Sequence, residues 1–381
     1  MSYVDARGND KGAANCLPVA QAMDTGWYVA RNETFDERVE VTGDVNLILA
    51  DGCTMKANDG IHLQENSSLT IWAQSMGDSM GALEAKNSDI NSWKAAIGGN
   101  AQTDGDRKYT AYTGSVTING GKILADGGPR AFEEDGVGGP GICASNVTIN
   151  GGDIKAWGKS CGASVSGAGI AATSTIINGG TVEAKGRAGI GGNRAEDMDG
   201  NITINGGTVN ATGLRAGVGL GAAYRGTMRG RITIAGGTVT ANGGNGAGIG
   251  CGQEGTLTGD ILISGGKVTA TGSNYGAGIG VCRYGELQGN VTITGGEVTA
   301  TCLKNGSGIG TGDEGRIKGK ITISGGTVIA EGDKGNGAGI GCGNTGAVSG
   351  TITISGGHVT ADAHTGIGAG YGGVIFKTAK F

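Results

Sequence analysis

The sequence predicts an all-β chain wound as a parallel β-helix, a single-stranded solenoid of about eleven coils of roughly 30 residues each. Three observations predict it. A glycine-paired motif returns at a nearly fixed period, apolar and polar residues alternate within each motif, and the composition suits no thick core.

The motif reads VTINGGKILA from residue 116, VTINGGDIKA from 147, TIINGGTVEA from 175 and ITINGGTVNA from 202. It continues as ITIAGGTVTA from 232, ILISGGKVTA from 261, VTITGGEVTA from 291, ITISGGTVIA from 321 and ITISGGHVTA from 352. The spacing, 27 to 31 residues, lies in the range of solenoid repeats. Inside each copy the Ile, Val and Ala positions share one face and the Thr positions the other, which is strand periodicity. The GG pair marks a sharp bend between two short strands. A third strand follows at RAGIGG, RAGVGL, GAGIGC, GAGIGV, GSGIGT, GAGIGC and HTGIGA, and a weaker fourth at GTLTG, GELQG, GRIKG and GAVSG. Coils stacked at the strand spacing of about 4.8 Å give a rod roughly 50 Å long.

Composition agrees. The 381 residues include 84 glycines, 3 prolines and only 4% aromatics, which excludes collagen (no G-X-Y period) and argues against a disordered linker. Glycine belongs where a corner turns with positive φ and the same corner of the next coil lies one strand spacing away. The fourth motif position carries Asn119, Asn150, Asn178 and Asn205, then Ala235, Ser264, Thr294, Ser324 and Ser355, a column that reads as a hydrogen-bonded ladder.

Residues 1–40 read as an N-terminal cap and first strand, with NCLPVAQAM as a short helix. Residues 41–373 form the β-helix and 374–381 (VIFKTAKF) a closing strand, all in one continuous domain. The eight cysteines, Cys16, Cys53, Cys143, Cys161, Cys251, Cys282, Cys302 and Cys342, are too widely spaced for C-x-x-C chemistry and read mostly as small buried packers.

GDVNLILADGCTM, SLTIW and AAIGGN, followed by tandem units such as ILISGGKVTATG with GAGIG, resemble the glycine-rich β-helix repeat regions of large secreted or wall-attached proteins of anaerobic Gram-positive bacteria. The resemblance covers about residues 24 to 370. It implies a right-handed parallel β-helix, an extracellular or cell-surface location and a carbohydrate-binding or adhesive role. It brings no catalytic motif. A start, MSYVDARGND, without the regions of a signal peptide leads us to expect the mature segment of a secreted protein with a start Met added.

Several chemistries can be weighed on the residues. Gly250, Gly252 and Gly255 have the G-x-G-x-x-G spacing of a dinucleotide loop, but the spacing recurs at Gly310 and Gly341, and each copy leads to a strand rather than a helix. WGKS at Trp157–Ser160 has Asp153 where a phosphate loop needs its first glycine. A net charge of -5 with scattered basic residues marks no nucleic-acid footprint, and no run of 18 apolar residues exists to span a membrane. Neither His62, His358 nor His364 has ligand spacing. No cofactor is expected, apart from calcium at EDMDGN (Asp197, Asp199) or FEEDG (132–136), which lack the full EF-hand and nonapeptide patterns. The Thr column at 203, 233, 292, 322 and 353 suggests an ice-binding face, but Leu262 and Ile176 interrupt it.

Two loop faces remain. One carries Arg187, Arg215, Asn245, Asn274, Tyr275, Lys304, Asn305, Asp333 to Asn336 and His364, in loops of varying length. The other stacks the pairs Tyr224 and Arg225, Gln253 and Glu254, Arg283 and Tyr284, Asp313 and Glu314, Asn344 and Thr345. Tyrosine faces with guanidiniums, amides and carboxylates suit an extended polysaccharide or glycoconjugate. The plain alternative is a self-neutralising charge ladder. A polysaccharide lyase or glycoside hydrolase would use Glu254, Asp313 and Glu314, while a structural spacer would use none of these residues. The reading taken forward is a glycan-binding or adhesive module without catalysis.

Overall fold

A computed structural model describes residues 1–88, 93–104, 107–128, 139–158, 160–161, 165–192 and 197–376. It is all-β, with no helix among the described residues. The chain forms two compact units, Met1–Ala184 and Lys185–Phe381.

Three parallel ladders build the first unit. One stacks Gly26–Ala30, Asp44–Leu49, Ser68–Ala73, Ser115–Ile118 and the second half of Ile142–Ile149. The next stacks Thr34–Phe35, Thr54–Ala57, Ala82–Lys86, Lys122–Asp126 and Asp153–Trp157. The third runs through Ala22–Met23, Val39–Val41, Ile61–Leu63 and Ile97–Gly98 to the first half of Ile142–Ile149. Alternation decides which side chains enter the core: Leu69, Ile71 and Ala73 are buried, and Ser68, Thr70 and Trp72 face outward. The asparagine ladder is present here, with Asn150 Nδ2 donating to Asn119 Oδ1 at 2.8 Å and Asn178 Nδ2 to Asn150 Oδ1 at 2.7 Å.

The segment NCLPVAQAM is not a helix. Leu17–Pro18 pairs in parallel with Gly26–Ala30, and Ala22–Met23 with Val39–Val41. Pro18 donates no N–H and holds Leu17 extended, so the ladder outcompetes a helical turn. Ahead of it an antiparallel hairpin, Ser2–Val4 with Asp10–Gly12, lies on the outer face of the sheet. It places the Tyr3 ring 4.9 Å from Trp27 and 4.8 Å from Trp72.

Half-buried Arg38 was not legible as a structural residue. Its guanidinium donates to the carbonyls of Asp59 at 2.7 Å and Ala95 at 2.9 Å, satisfying backbone groups of two coils. Burial pushes its pKa down to about 10, which still leaves it charged at neutral pH.

Four ladders build the second unit. The first is Asn201–Ile204, Ile232–Ile234, Ile261–Ile263, Val291–Ile293, Lys320–Ile323 and Thr351–Ile354. The second begins in Thr208–Ala222 and continues through Thr238–Asn242, Lys267–Gly272, Glu297–Cys302, Thr327–Glu331 and His358–Asp362. The third carries the Ile-Gly anchors: Ile249–Cys251, Ile279–Val281, Ile309–Thr311, Ala338–Gly341 and Thr365–Gly368. The fourth is made of two-residue strands, Thr227–Met228, Thr256–Leu257, Glu286–Leu287, Arg316–Ile317, Ala347–Val348 and Val374–Ile375. Of the expected closing strand only these last two residues form one, and residues 377–381 lie outside the described residues.

The anchors explain the G-x-G-x-x-G spacing. Gly250 sits at φ 129°, and a Cβ there would lie 1.8 Å from the carbonyl oxygen of Gly280 in the next coil. The glycine is required by coil stacking, and a strand follows it instead of the helix a phosphate loop needs.

Cys143, Cys251, Cys282, Cys302 and Cys342 are buried and Cys16 and Cys53 half-buried, and these seven form no disulfide. Burial pushes the thiols of Cys251, Cys282 and Cys302 up to about 12, so they are inert packers. The Cys161 side chain lies outside the described residues.

Candidate functional site

From Leu220–Gly221 onward, each anchor of the second unit runs into a four-residue turn before the short strand begins. The turn closes through Gly255 N donating to Gly252 O at 3.1 Å and Gly285 N to Cys282 O at 2.9 Å. Its third residue takes positive φ: Arg225 at 61°, Glu254 at 58°, Tyr284 at 56°, Glu314 at 54° and Thr345 at 49°. In the last coil the same position is Gly372, at 65°. A side chain in this conformation costs about 1–2 kcal/mol that glycine avoids, and for β-branched Thr345 it is a true outlier.

Backbone bonds hold the turns in register. Arg225 N donates to Gln253 O at 3.0 Å, Glu254 N to Arg283 O at 2.9 Å, Tyr284 N to Asp313 O at 3.1 Å and Glu314 N to Asn344 O at 2.8 Å. Two side-chain columns result: Tyr224, Gln253, Arg283, Asp313 and Asn344, and beside it Arg225, Glu254, Tyr284, Glu314 and Thr345.

Charges within the columns pair. Arg225 Nε lies 2.7 Å from Glu254 Oε2, and the Tyr224 hydroxyl donates to Glu254 Oε1 at 3.3 Å. Arg283 sits between two carboxylates, with its Nε 3.0 Å from Asp313 Oδ2 and an NH2 group 2.9 Å from Glu314 Oε1. The Nε–H points off the line to Asp313, making this contact an ion pair without a good hydrogen bond. Asn344 Nδ2 also donates to Asp313 Oδ1 at 2.8 Å, and Asp313 is buried. The charge ladder is therefore real. The Arg283 hydrogen bond holds Glu314 below the usual carboxylate range, so at neutral pH it is an acceptor with no proton to donate. That suits hydroxyl recognition better than general-acid chemistry.

The guanidiniums also lie over aromatic rings. Arg283 is 4.5 Å from the Tyr284 ring centroid and 5.2 Å from that of Tyr275, and Arg225 is 4.9 Å from that of Tyr224. Tyr284 remains 47% exposed. Tyr275 and Arg283 belong to the two faces that the sequence separates, and the fold merges those faces. Asn344 N donates to Asn305 O at 3.1 Å, Tyr371 N to Asn336 O at 2.9 Å, and the His364 ring meets Tyr371 edge-on at 6.0 Å. Asn274 Nδ2 donates to Asn245 Oδ1 at 2.8 Å, and Asn336 Nδ2 to Asn305 Oδ1 at 2.9 Å. Arg187, expected on the exposed loop face, is buried with its guanidinium 5.6 Å from the Tyr224 ring centroid.

Asp197 and Asp199 are both engaged by a cationic side chain, and Glu196 of the same segment lies outside the described residues. Arg229 reaches both, at 2.7 Å and 3.0 Å, and no cluster of three metal-ligating side chains occurs among the described residues. FEEDG lies outside the described residues. In the Thr column, Leu262 stands in register between Thr233 and Thr292, interrupting the hydroxyl face.

Ladders, anchors and turns together define a parallel β-helix repeat protein. A family model described as "Beta helix repeat" matches eight segments of the chain, residues 147–170, 176–194, 202–224, 232–253, 261–280, 291–313, 321–344 and 352–373. The last five each end at or just beyond an Ile-Gly anchor, and 202–224 ends just beyond its counterpart Leu220–Gly221, so the family's repeat and the structural coil coincide. No curated protein and no solved structure matches the chain.

Proposed function

We propose that this β-helix is an extracellular or cell-surface module that binds glycans, without catalysis, through the merged turn face of its second unit. The observation that carries the reading is the run of five successive turns that keep a side chain at positive φ where Gly372 meets the same backbone demand without strain. Strain retained in series, at a corner where tyrosines, guanidiniums and carboxylates gather, fits selection for what those side chains touch. Tyr284 offers an aromatic surface to a sugar ring, and Glu254 and Glu314, paired with Arg225 and Arg283, offer acceptors to its hydroxyls.

The test is a glycan array spanning mucin-type, plant-wall and bacterial polysaccharides, read with the wild-type chain and with Tyr284→Ala. The expected outcome is selective capture that Tyr284→Ala loses while its far-UV spectrum stays unchanged. A blank array would contradict the proposal and leave a spacer role ahead of it.

A further inference from the structure

Beside the turn face, the fourth ladder carries a groove of about 360 Å³. Its walls include Glu314, Arg316, Lys318, Thr345, Ser349 and Phe376. Register explains it. The outward column that holds Arg316 shortens to Ala347 in the next coil, and the neighbouring column passes from Lys318 to Ser349 and then to Phe376. Small side chains in the middle coil thus leave a trough between two cations on one side and an aromatic ring on the other. Phe376 is 69% exposed, in a column whose other members are polar.

Its charges are unequally answered. Glu314 is paired with Arg283, and Lys318 with Glu286, which also accepts from Gln288. Arg316 is exposed and makes no ion pair or side-chain hydrogen bond among the described residues. Arg316 stands in register with Glu286, whose carboxylate is already bonded to Lys318 and Gln288. The groove therefore presents one guanidinium with no carboxylate at ion-pair distance among the described residues. A planar fork of this kind matches a carboxylate or sulfate bidentately. The Phe376 ring supplies an apolar platform, and Thr345 and Ser349 supply hydroxyls. Ser349 Oγ spends its proton on Ile317 O at 3.0 Å, so its oxygen is an acceptor for a ligand hydroxyl. A simple inorganic anion would use Arg316 and leave the ring idle. A ligand with an apolar ring face, hydroxyls and one negative group uses every wall.

We infer that this groove is a subsite for an acidic sugar, a uronate or sulfated residue, with Arg316 holding the anion and Phe376 the ring face. The inference deepens the glycan-binding reading and rests on it. Glu314 and Thr345 belong to both the groove and the turn column, so one chain of sugars passes from one to the other.

The experiment is calorimetric titration of the full chain with a galacturonic acid tetramer, a galactose tetramer of the same linkage and inorganic sulfate. The acidic tetramer should bind about tenfold more tightly than the neutral one, the scale of one charge-assisted bidentate contact. Arg316→Ala and Arg316→Gln should erase that ratio, and Phe376→Ala should weaken both tetramers. Equal affinities in the wild type, an unchanged ratio in the Arg316 variants, or sulfate binding as tightly as the acidic tetramer would overturn the inference. Capture of neutral glycans, lost in Tyr284→Ala and indifferent to Arg316, would leave the broader reading standing and end this one alone. Failure to capture any glycan would end both.

Discussion

At the scale of single residues, the turn column sets side-chain identity against backbone preference. Thr345 is the clearest case, because a β-branched residue at φ 49° gives up the most relative to glycine. Thr345→Gly should raise stability by roughly 1 kcal/mol, the relief of αL strain less the added freedom of the unfolded chain, as read by urea denaturation. The sequence revealed that these pairs align, since the spacing from Gly248 onward is regular. It could not reveal the positive φ, because nothing in the letters RYG or DEG distinguishes such a turn from an ordinary one. Arg38 escaped notice for a related reason: in sequence it is one charge among charges, and only the carbonyls of Asp59 and Ala95 converging on it make it a tie between coils.

At the scale of strands and turns, alternation was legible and its exceptions were costly to miss. TIINGG looks like its neighbours, yet Thr175 is buried and its hydroxyl has no partner. Thr311 is buried in the same way, in register with Val281 of the preceding coil. Either threonine changed to valine keeps the shape and removes an unsatisfied hydroxyl, so each variant should be more stable by about 1–2 kcal/mol in thermal or urea unfolding. The Arg283–Glu314 contact makes an acid-side prediction. A carboxyl held below its ordinary value contributes stability that is present above the unfolded pKa of about 4.3 and is lost as pH falls through the lower folded value. The melting temperature should fall on acidification below that range, and less steeply in Glu314→Gln than in the wild type. That the two loop faces are one face was not legible. Their union depends on backbone bonds such as Tyr371 N to Asn336 O, which join segments 35 residues apart.

At the scale of the whole molecule, the repeat made the architecture legible. A 27-to-31-residue period, two-residue alternation and glycine at every anchor admit few structures besides a parallel β-helix. The places where letters misled are those where the repeat stops: NCLPVAQAM, read as a helix, and the hairpin of Ser2–Val4 with Asp10–Gly12, which has no counterpart in the coils. Function is less legible than fold because the same regularity that announces the scaffold makes every rung look alike. The claim that distinguishes one face from the others is that its turn side chains are kept for a ligand. Tyr284→Gly tests it most directly, measured for affinity toward the glycan captured best by the wild type and for stability in the same preparation. The account predicts stability within about 1 kcal/mol of the wild type, strain relief offsetting the lost Arg283 contact, with glycan affinity abolished. Undiminished affinity in a folded Tyr284→Gly chain would contradict it.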